Sequence, residues 1–269
     1  MAAVRVDAPR VCLSASATAT AALWLRSSLP APAGTVGENL HIHPAVVVAG
    51  DFAEPVNAWQ GIPQSAECTE WLDFERTDGH SAWIVPAFAH PVGTATLVPG
   101  HAMAHAALME RYPHLGVLAA MVHDDTTGTV RPDGDLGLAI DYWPNARDRG
   151  ELALGLWASA RLLFAAGARR VVVPAHPAVE LHNEAAAERL RGLPLERGMM
   201  DVVAVHPMST VPMGDDPRTA AVRSDGRHHG LRGLWVAHGS LFPTSIGGPP
   251  QWSVYALGLH VAEALVAMG

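Results

Sequence analysis

The sequence predicts an α+β protein, a large mixed or antiparallel sheet flanked by helices, and three observations carry that prediction. Apolar, β-branched runs of strand length recur through the middle of the 269 residues. Gly, Pro and Asp turn signals separate them at hairpin spacing. The longest apolar stripe, by contrast, has a helical period and lies later in the chain.

Residues 4–15 carry two short apolar runs around Pro9 and read as strands. Ala22, Leu23 and Leu25 give 17–29 a helical character, and the Pro-rich stretch ending at Gly34 stops it. Residues 45–52 have the composition of a buried strand, and 81–88 and 115–123 are two more, with a helix expected over 100–111. Thr126-Thr127-Gly128 predicts a hairpin turn before Val130, and Pro132-Asp133-Gly134 another before a strand over 136–143. The strongest helix spans 148–167, with Leu152, Leu156, Ala160 and Leu163 on one stripe and Gly167 as its stop. A strand over 170–174, an Ala- and Glu-rich helix over 179–190, and strands over 202–206 and 234–237 follow. A helix over 253–268 closes the chain, with Leu257, Val261, Ala264 and Leu265 facing inward.

Bulk properties narrow the function. A hydrophobic content of 49% with 16% charged residues describes a chain that buries a core. Net charge is 18 − 26 = −8 with no basic run, which argues against nucleic acid and anionic membrane surfaces as partners. Cys12 and Cys68 form neither a disulfide framework nor a metal pair, so a reduced, cytoplasmic setting is expected. The first residues lack the apolar stretch of a signal peptide. The apolar stretch 152–168 carries Arg161 and is short for a membrane span.

The chemistry concentrates in the last seventy or so residues. His206 is placed at a predicted strand end, and Pro207 halts pairing there, so that the imidazole can face a cavity. A neutral imidazole suits removal of a hydroxyl proton, because its ordinary pKa lies near neutrality. The pattern His206-Pro-x-x-Thr210-x-x-Met213-Gly214 is followed by Gly239-Ser240-x-Phe242-Pro243-Thr244 and then a helix start beside Gly247-Gly248. An isolated histidine is more often a core residue holding a carbonyl; one embedded in this pattern is the better candidate for acid/base work.

That ordered pattern resembles the C-terminal half of the glucose–methanol–choline (GMC) oxidoreductases, which are flavin-dependent alcohol oxidases and dehydrogenases. The segment Gly37-Glu38-Asn39-Leu40-His41-Ile42-His43-Pro44 is similar to a further family segment, so the resemblance covers nearly the whole chain. It implies incomplete flavin-domain elements at both ends: 1–36 as a flavin-domain-like strand and helix, 37–204 as a substrate domain, and 205–269 as an active-site segment. It implies His206 as the catalytic acid/base, and His238, Gly239, Ser240, Gly248, Pro250 and Gln251 as flavin contacts. Asn39, His43, Pro249 and Trp252 would line the substrate pocket. The start of the final helix would direct its unsatisfied amides and positive dipole end at the flavin ring.

The family's N-terminal dinucleotide fingerprint, Gly-x-Gly-x-x-Gly, does not occur in the chain. The resemblance therefore implies FAD only if a separate N-terminal FAD-binding polypeptide supplies the other half, with an apolar alcohol as substrate. Pro249 stands where the family usually has Asn or His, and His238 where it usually has an acid. These departures open an alternative: a flavin-free domain using the pocket for isomerase, cyclase or lyase chemistry, or for binding without catalysis.

Other histidines weigh less. His101 and His105 have the i, i+4 spacing of a zinc pair, but Ala102 stands where a zinc protease carries its glutamate, and no metal site is expected. His228-His229 reads as a solvated turn, and His123-Asp124-Asp125 as turn chemistry rather than a cation site. Trp59, Trp83, Trp143 and Trp252 could line an apolar pocket, with core packing the commoner role. His238-Gly239-Ser240 lacks the second glycine of a nucleophile elbow.

Overall fold

The computed structural model describes residues 4–62, 64–73, 75 and 79–267. In chain order its regular elements are β1 (Val11–Leu13), α1 (Ser16–Arg26), β2 (Ala45–Asp51), β3 (Ala82–Pro86), α2 (Pro91–Leu97) and α3 (Ala102–Glu110). Then come β4 (Leu115–Val122), β5 (Thr129–Asp133), β6 (Gly137–Asp141), α4 (Ala146–Ala165), β7 (Arg170–Val173), β8 (Val179–Leu181), β9 (Leu234–Val236) and α5 (Gln251–Ala267). They fall into two compact units: Pro44–His123 with Pro144–Ala204, and Met1–His43 with Asp124–Trp143 and Val205–Gly269. The segment 124–143 thus lies with the chain ends rather than with its sequence neighbours.

The first of these units is the expected sheet. Among the described residues it has five strands in the order β3-β4-β2-β7-β8, each neighbouring pair antiparallel. The β-branched run of β2 makes it the central strand, because both of its edges are paired and its side chains are buried. Alternation gives the sheet two faces. Val46, Val48, Ile84, Ala120, Val122 and Val171 pack with Leu152, Leu156 and Leu163 of α4 in one core. Close approach is enforced at Gly155, where an added Cβ would stand 2.5 Å from the Ala120 Cβ. Asn145 caps α4 by accepting the Asp148 N–H at 2.9 Å, a contact of about 1 kcal/mol. Gly167, at φ +97°, turns the chain back to β7.

The second unit gathers the chain ends. β1 and β9 pair in parallel, Val11 opposite Leu234 through Leu13 opposite Val236. Around them Trp24, Leu40, Met208, Val211, Trp235, Leu241, Leu257 and Val261 form one core. Gly37, at φ +76°, has no room for a side chain, since a Cβ would meet the Val130 carbonyl oxygen at 2.4 Å. β5 and β6 form a separate hairpin rather than joining the large sheet.

Several expectations need correction. Only Val11–Leu13 of the first segment is strand. The hairpin turn comes at 134–136, so Pro132 and Asp133 belong to β5, and Gly128 instead bridges Leu40. The Ala-rich segment expected as one helix divides into β8 and a 3-10 helix over Glu184–Gly192; pairing of Val179–Leu181 with β7 outweighs helix propensity there. Residues 202–206 form no regular strand, only a bridge between Val203 and Ala45, so His206 sits in a loop. α2 was not anticipated, and its Pro91 sits at a favoured first helical position. Met268 of the expected final helix lies outside the described residues.

Candidate active site

The geometry starts at Asp124. Its carboxylate accepts the consecutive backbone N–H groups of Ile42 and His43, each at 3.1 Å, and the Tyr142 hydroxyl at 2.9 Å. The His41 Nδ1 lies 3.4 Å away. Burial pushes the Asp124 carboxyl up, but hydrogen bonding from His41, Ser245 and the Ile42 amide outweighs it and holds the group below the usual carboxylate range. The buried charge therefore persists at neutral pH, and it fixes the backbone leading into His43.

His43 is buried and sits at φ +35°, a conformation L-residues seldom adopt. Its Nε2 lies 2.8 Å from His206 Nδ1, with ring centroids 4.9 Å apart and planes tilted by 37°. One proton is shared between these two nitrogens. When His43 accepts that hydrogen bond, the neutral His206 keeps an unprotonated Nε2, the form a general base requires. His206 is half-buried, and burial lowers its pKa from the ordinary 6.5, so it is neutral at pH 7.

The residues that follow His206 explain the spacing of its motif. Met208 exchanges two backbone hydrogen bonds with His41, at 2.8 and 3.1 Å. Thr210 is buried, donates its hydroxyl to the Ala17 carbonyl at 2.5 Å and accepts the Gly37 N–H on its own carbonyl at 2.8 Å. The amides of Ser209, Val211 and Met213 donate in turn to the carbonyls of Gly239, Ser240 and Leu241. The threonine and methionine of the motif are thus anchors that place the imidazole.

At the C-terminal end of β9, His238 caps the turn over Gly239–Leu241: its Nδ1 accepts the Ser240 N–H at 3.0 Å. That leaves the proton on Nε2, 2.8 Å from the Thr20 hydroxyl oxygen of α1. Burial pushes its pKa down to about 4, so the ring is neutral. Both nitrogens have protein partners. Gly239 shows neither positive φ nor crowding, and an added Cβ would find its nearest neighbours at 3.6 Å. Packing within the chain does not demand glycine there, which leaves room for a group lying against the backbone.

Gly248 and Pro250 are buried, whereas Pro249, Gln251 and Trp252 are exposed, Trp252 by 84%. Gln251 bonds the Tyr255 hydroxyl at 2.7 Å, and Asn39 bonds the Pro243 carbonyl at 3.0 Å. The structure brings His43 and His206 together; no hydrogen bond or ring contact among the described residues joins His206 to Gly239, Ser240 or the start of α5.

The chain belongs to the GMC oxidoreductase family. The family model described as GMC oxidoreductase matches residues 124–258. An uncharacterized GMC-type oxidoreductase of Mycobacterium tuberculosis is 35% identical over 266 residues, 97% of this chain and 40% of that protein. A long-chain-alcohol oxidase of Arabidopsis thaliana is 27% identical over 252 residues, 86% of this chain and 34% of its own length. The crystal structure of a pyridoxine 4-oxidase from Mesorbium loti superposes with a TM-score of 0.64 at 20% identity, covering 95% of this chain and 51% of that one, and so shares the fold. The chain spans about two fifths of the mycobacterial relative and a third of the plant one.

Within this GMC half, one histidine reading changes. His228 is buried, not solvated: it stacks on Trp24, accepts the amides of Gly230 and Leu231 on Nδ1, and donates from Nε2 to the Pro30 carbonyl at 2.8 Å. His105 donates to the Ala95 carbonyl at 2.9 Å, and no cluster of three or more metal-type ligands occurs among the described residues. Asp124, read from the sequence as turn chemistry, is instead the anchor of His43. No helix among the described residues is long and apolar enough to cross a membrane.

Proposed function

We propose that this chain is the C-terminal part of a GMC-type FAD-dependent oxidoreductase that oxidises an apolar alcohol, with His206 as the acid/base. The observation that carries this reading is the 2.8 Å contact between His43 Nε2 and His206 Nδ1, backed by the buried Asp124 carboxylate. His206 Nε2 takes the hydroxyl proton, while His43 holds the ring in one orientation. Bound FAD would accept the hydride.

The residues present fit the ring end of such a cofactor. Ligands of parallel sheets lie beyond the carboxyl ends of the strands, where β1 and β9 deliver Ser14 and the turn at Gly239. The first-turn amides of α5 have no intrahelical acceptors, and Gln251 and Trp252 are exposed there. A diphosphate cradle is not among the chain's motifs, so a separate N-terminal FAD-binding polypeptide would complete the site, in a cytoplasmic setting. Gly248, Pro250, Gln251, Gly239 and Ser240 would then contact flavin, with His238 acting through the turn it caps, and Asn39, Pro249 and Trp252 would border the substrate.

The test is reconstitution. The chain is mixed with a GMC N-terminal half, and flavin absorbance is followed through gel filtration together with alcohol-dependent reduction. His206→Ala should retain flavin and lose about a hundredfold or more in turnover. Equal turnover in the variant overturns the role, and a colourless chain active on its own would favour the non-redox alternative.

A further inference from the structure

The unit that gathers the chain ends carries a basic recess at the amino end of the β1–β9 pair. Its walls come from three segments: Arg10 just before β1, a hairpin bearing Arg223 and Arg227, and the following loop with His228, His229 and Arg232. The recess measures about 1110 Å³, part of it open to solvent, and none of its described lining residues is acidic. Gly239 and Ser240, the proposed flavin contacts, follow β9 at its other end.

Backbone geometry holds the three segments together. The Arg223 N–H donates to the Arg227 carbonyl at 2.8 Å, which closes the hairpin and makes the two arginines neighbours across it. Arg227 in turn bridges Trp235 of β9. Gly233, at φ +77°, approaches Pro9 so closely that an added Cβ would stand 2.3 Å from the Pro9 carbonyl oxygen. Arg232 and Arg10 each lie one residue from that contact, so it brings them to the same rim. His228 accepts the Gly230 and Leu231 amides on Nδ1 and fixes the loop between them.

The chain has no lysine, so all 18 of its basic side chains are guanidinium groups that stay ionised wherever the protein is folded. Four of them line this one recess, in a chain of net charge −8. Asp225 stands 3.6 Å from Arg227, and Asp215 accepts the Ser224 hydroxyl and amide; both acids lie outside the lining. Like charges gathered round a concavity repel one another, and a small anion bound among them offsets that repulsion.

From this convergence we infer that the recess binds a small, multiply charged phosphate ligand, a diphosphate or phosphate ester. Guanidinium forks match the oxygens of a phosphoryl group two at a time. Concavity favours a compact ligand, and the negative charge of the chain as a whole opposes an extended polyanion. Such a site is additional to the one around His206 and stands whether or not the chain takes up flavin.

The test titrates the whole chain calorimetrically at low salt with inorganic pyrophosphate, and in parallel with inorganic phosphate, citrate and an oligoglutamate peptide. Saturable pyrophosphate binding, about tenfold tighter than phosphate or citrate and weakened as NaCl rises, supports the site. Arg232→Gln and Arg10→Gln should each weaken pyrophosphate about tenfold, with thermal unfolding of the free chain unchanged. Arg218→Gln removes an exposed arginine outside the recess and should bind as wild type. Arg232→Gln alone decides the matter if Arg10→Gln disturbs β1. Absence of saturable heat, citrate as tight as pyrophosphate, or undiminished binding in folded Arg232→Gln overturns the inference. An equal loss in Arg218→Gln does so too, since it would mean diffuse charge rather than a site. Oligoglutamate bound while pyrophosphate is silent would make the recess a protein contact and overturn it as well.

Discussion

Asp124 reaches back 81 residues to take the backbone N–H of His43 at 3.1 Å, and so the carboxylate, not the imidazole pair itself, sets where the pair stands. Asp124→Ala strands two amides and the Tyr142 hydroxyl, and we expect a loss of about 3 kcal/mol of stability. Asp124→Asn should cost less, since one acceptor oxygen remains. The depressed carboxyl contributes stability that is complete above the unfolded value near 3.8 and is lost as pH falls through the folded value. Denaturant midpoints of both variants between pH 3 and pH 7 would show a shallower acid limb than wild type.

His238 gives a second, separable pH dependence. Its folded pKa of about 4 lies below the ordinary 6.5, so the unfolded chain binds the proton first as pH falls. The stabilisation is complete above about 6.5 and gone below about 4, a swing on the order of 3 kcal/mol. His238→Asn keeps the cap acceptor for the Ser240 amide and has no such titration. Unfolding curves at pH 7.5 and pH 4.5 should converge for the variant relative to wild type.

Catalysis in the reconstituted enzyme should follow His206 ionisation. Activity requires the neutral ring, and burial lowers its pKa, so kcat/KM should rise with pH through a midpoint below 6.5 and then level off. His43→Gln should lower kcat by about tenfold while leaving KM nearly unchanged, since it removes orientation rather than binding.

Gly155→Ala separates packing from helix propensity. Alanine favours α4 by about 1 kcal/mol, but its methyl would fall 2.5 Å from the Ala120 Cβ. The net result should be a destabilisation of about 1–3 kcal/mol, read from thermal or urea unfolding.

On α5, Trp252, Tyr255 and Leu259 are exposed by 84%, 59% and 63%, while Leu257 and Val261 face the core. Trp252→Glu should leave the stability of the chain within about 0.5 kcal/mol. If this exposed face helps to join the chain to an N-terminal half, the variant should be captured weakly or not at all in a pull-down with that half; full capture would exclude the face from the joint.

The sheet was legible because its strands obey composition rules, β2 most clearly, and α4 because its stripe and Gly167 agree; its Asn145 cap emerged only in the structure. As candidates, His206 and His43 were legible through motifs, and Thr210 and Met213 of the His206 motif prove to be anchors. Asp124 was not, since its importance lies in accepting amides from a distant segment, which no local pattern records. The 179–190 stretch misled because alanine and glutamate favour a helix, whereas β7 offered an edge to Val179–Leu181. His228 misled because polar neighbours suggested water where Trp24 and Pro30 in fact surround the ring.

The pairing of β1 with β9 has a consequence for synthesis. Ser14 bonds Ala237 across 223 residues, so the unit bearing both imidazoles closes only after Ala237 has left the ribosome. The large sheet has every strand it needs by Leu181 and can form during translation. A nonsense codon shortly before position 234 would therefore yield an assembled sheet beside a β1–α1 segment that lacks its partner strand β9, a product expected to bind hydrophobic dyes and chaperones.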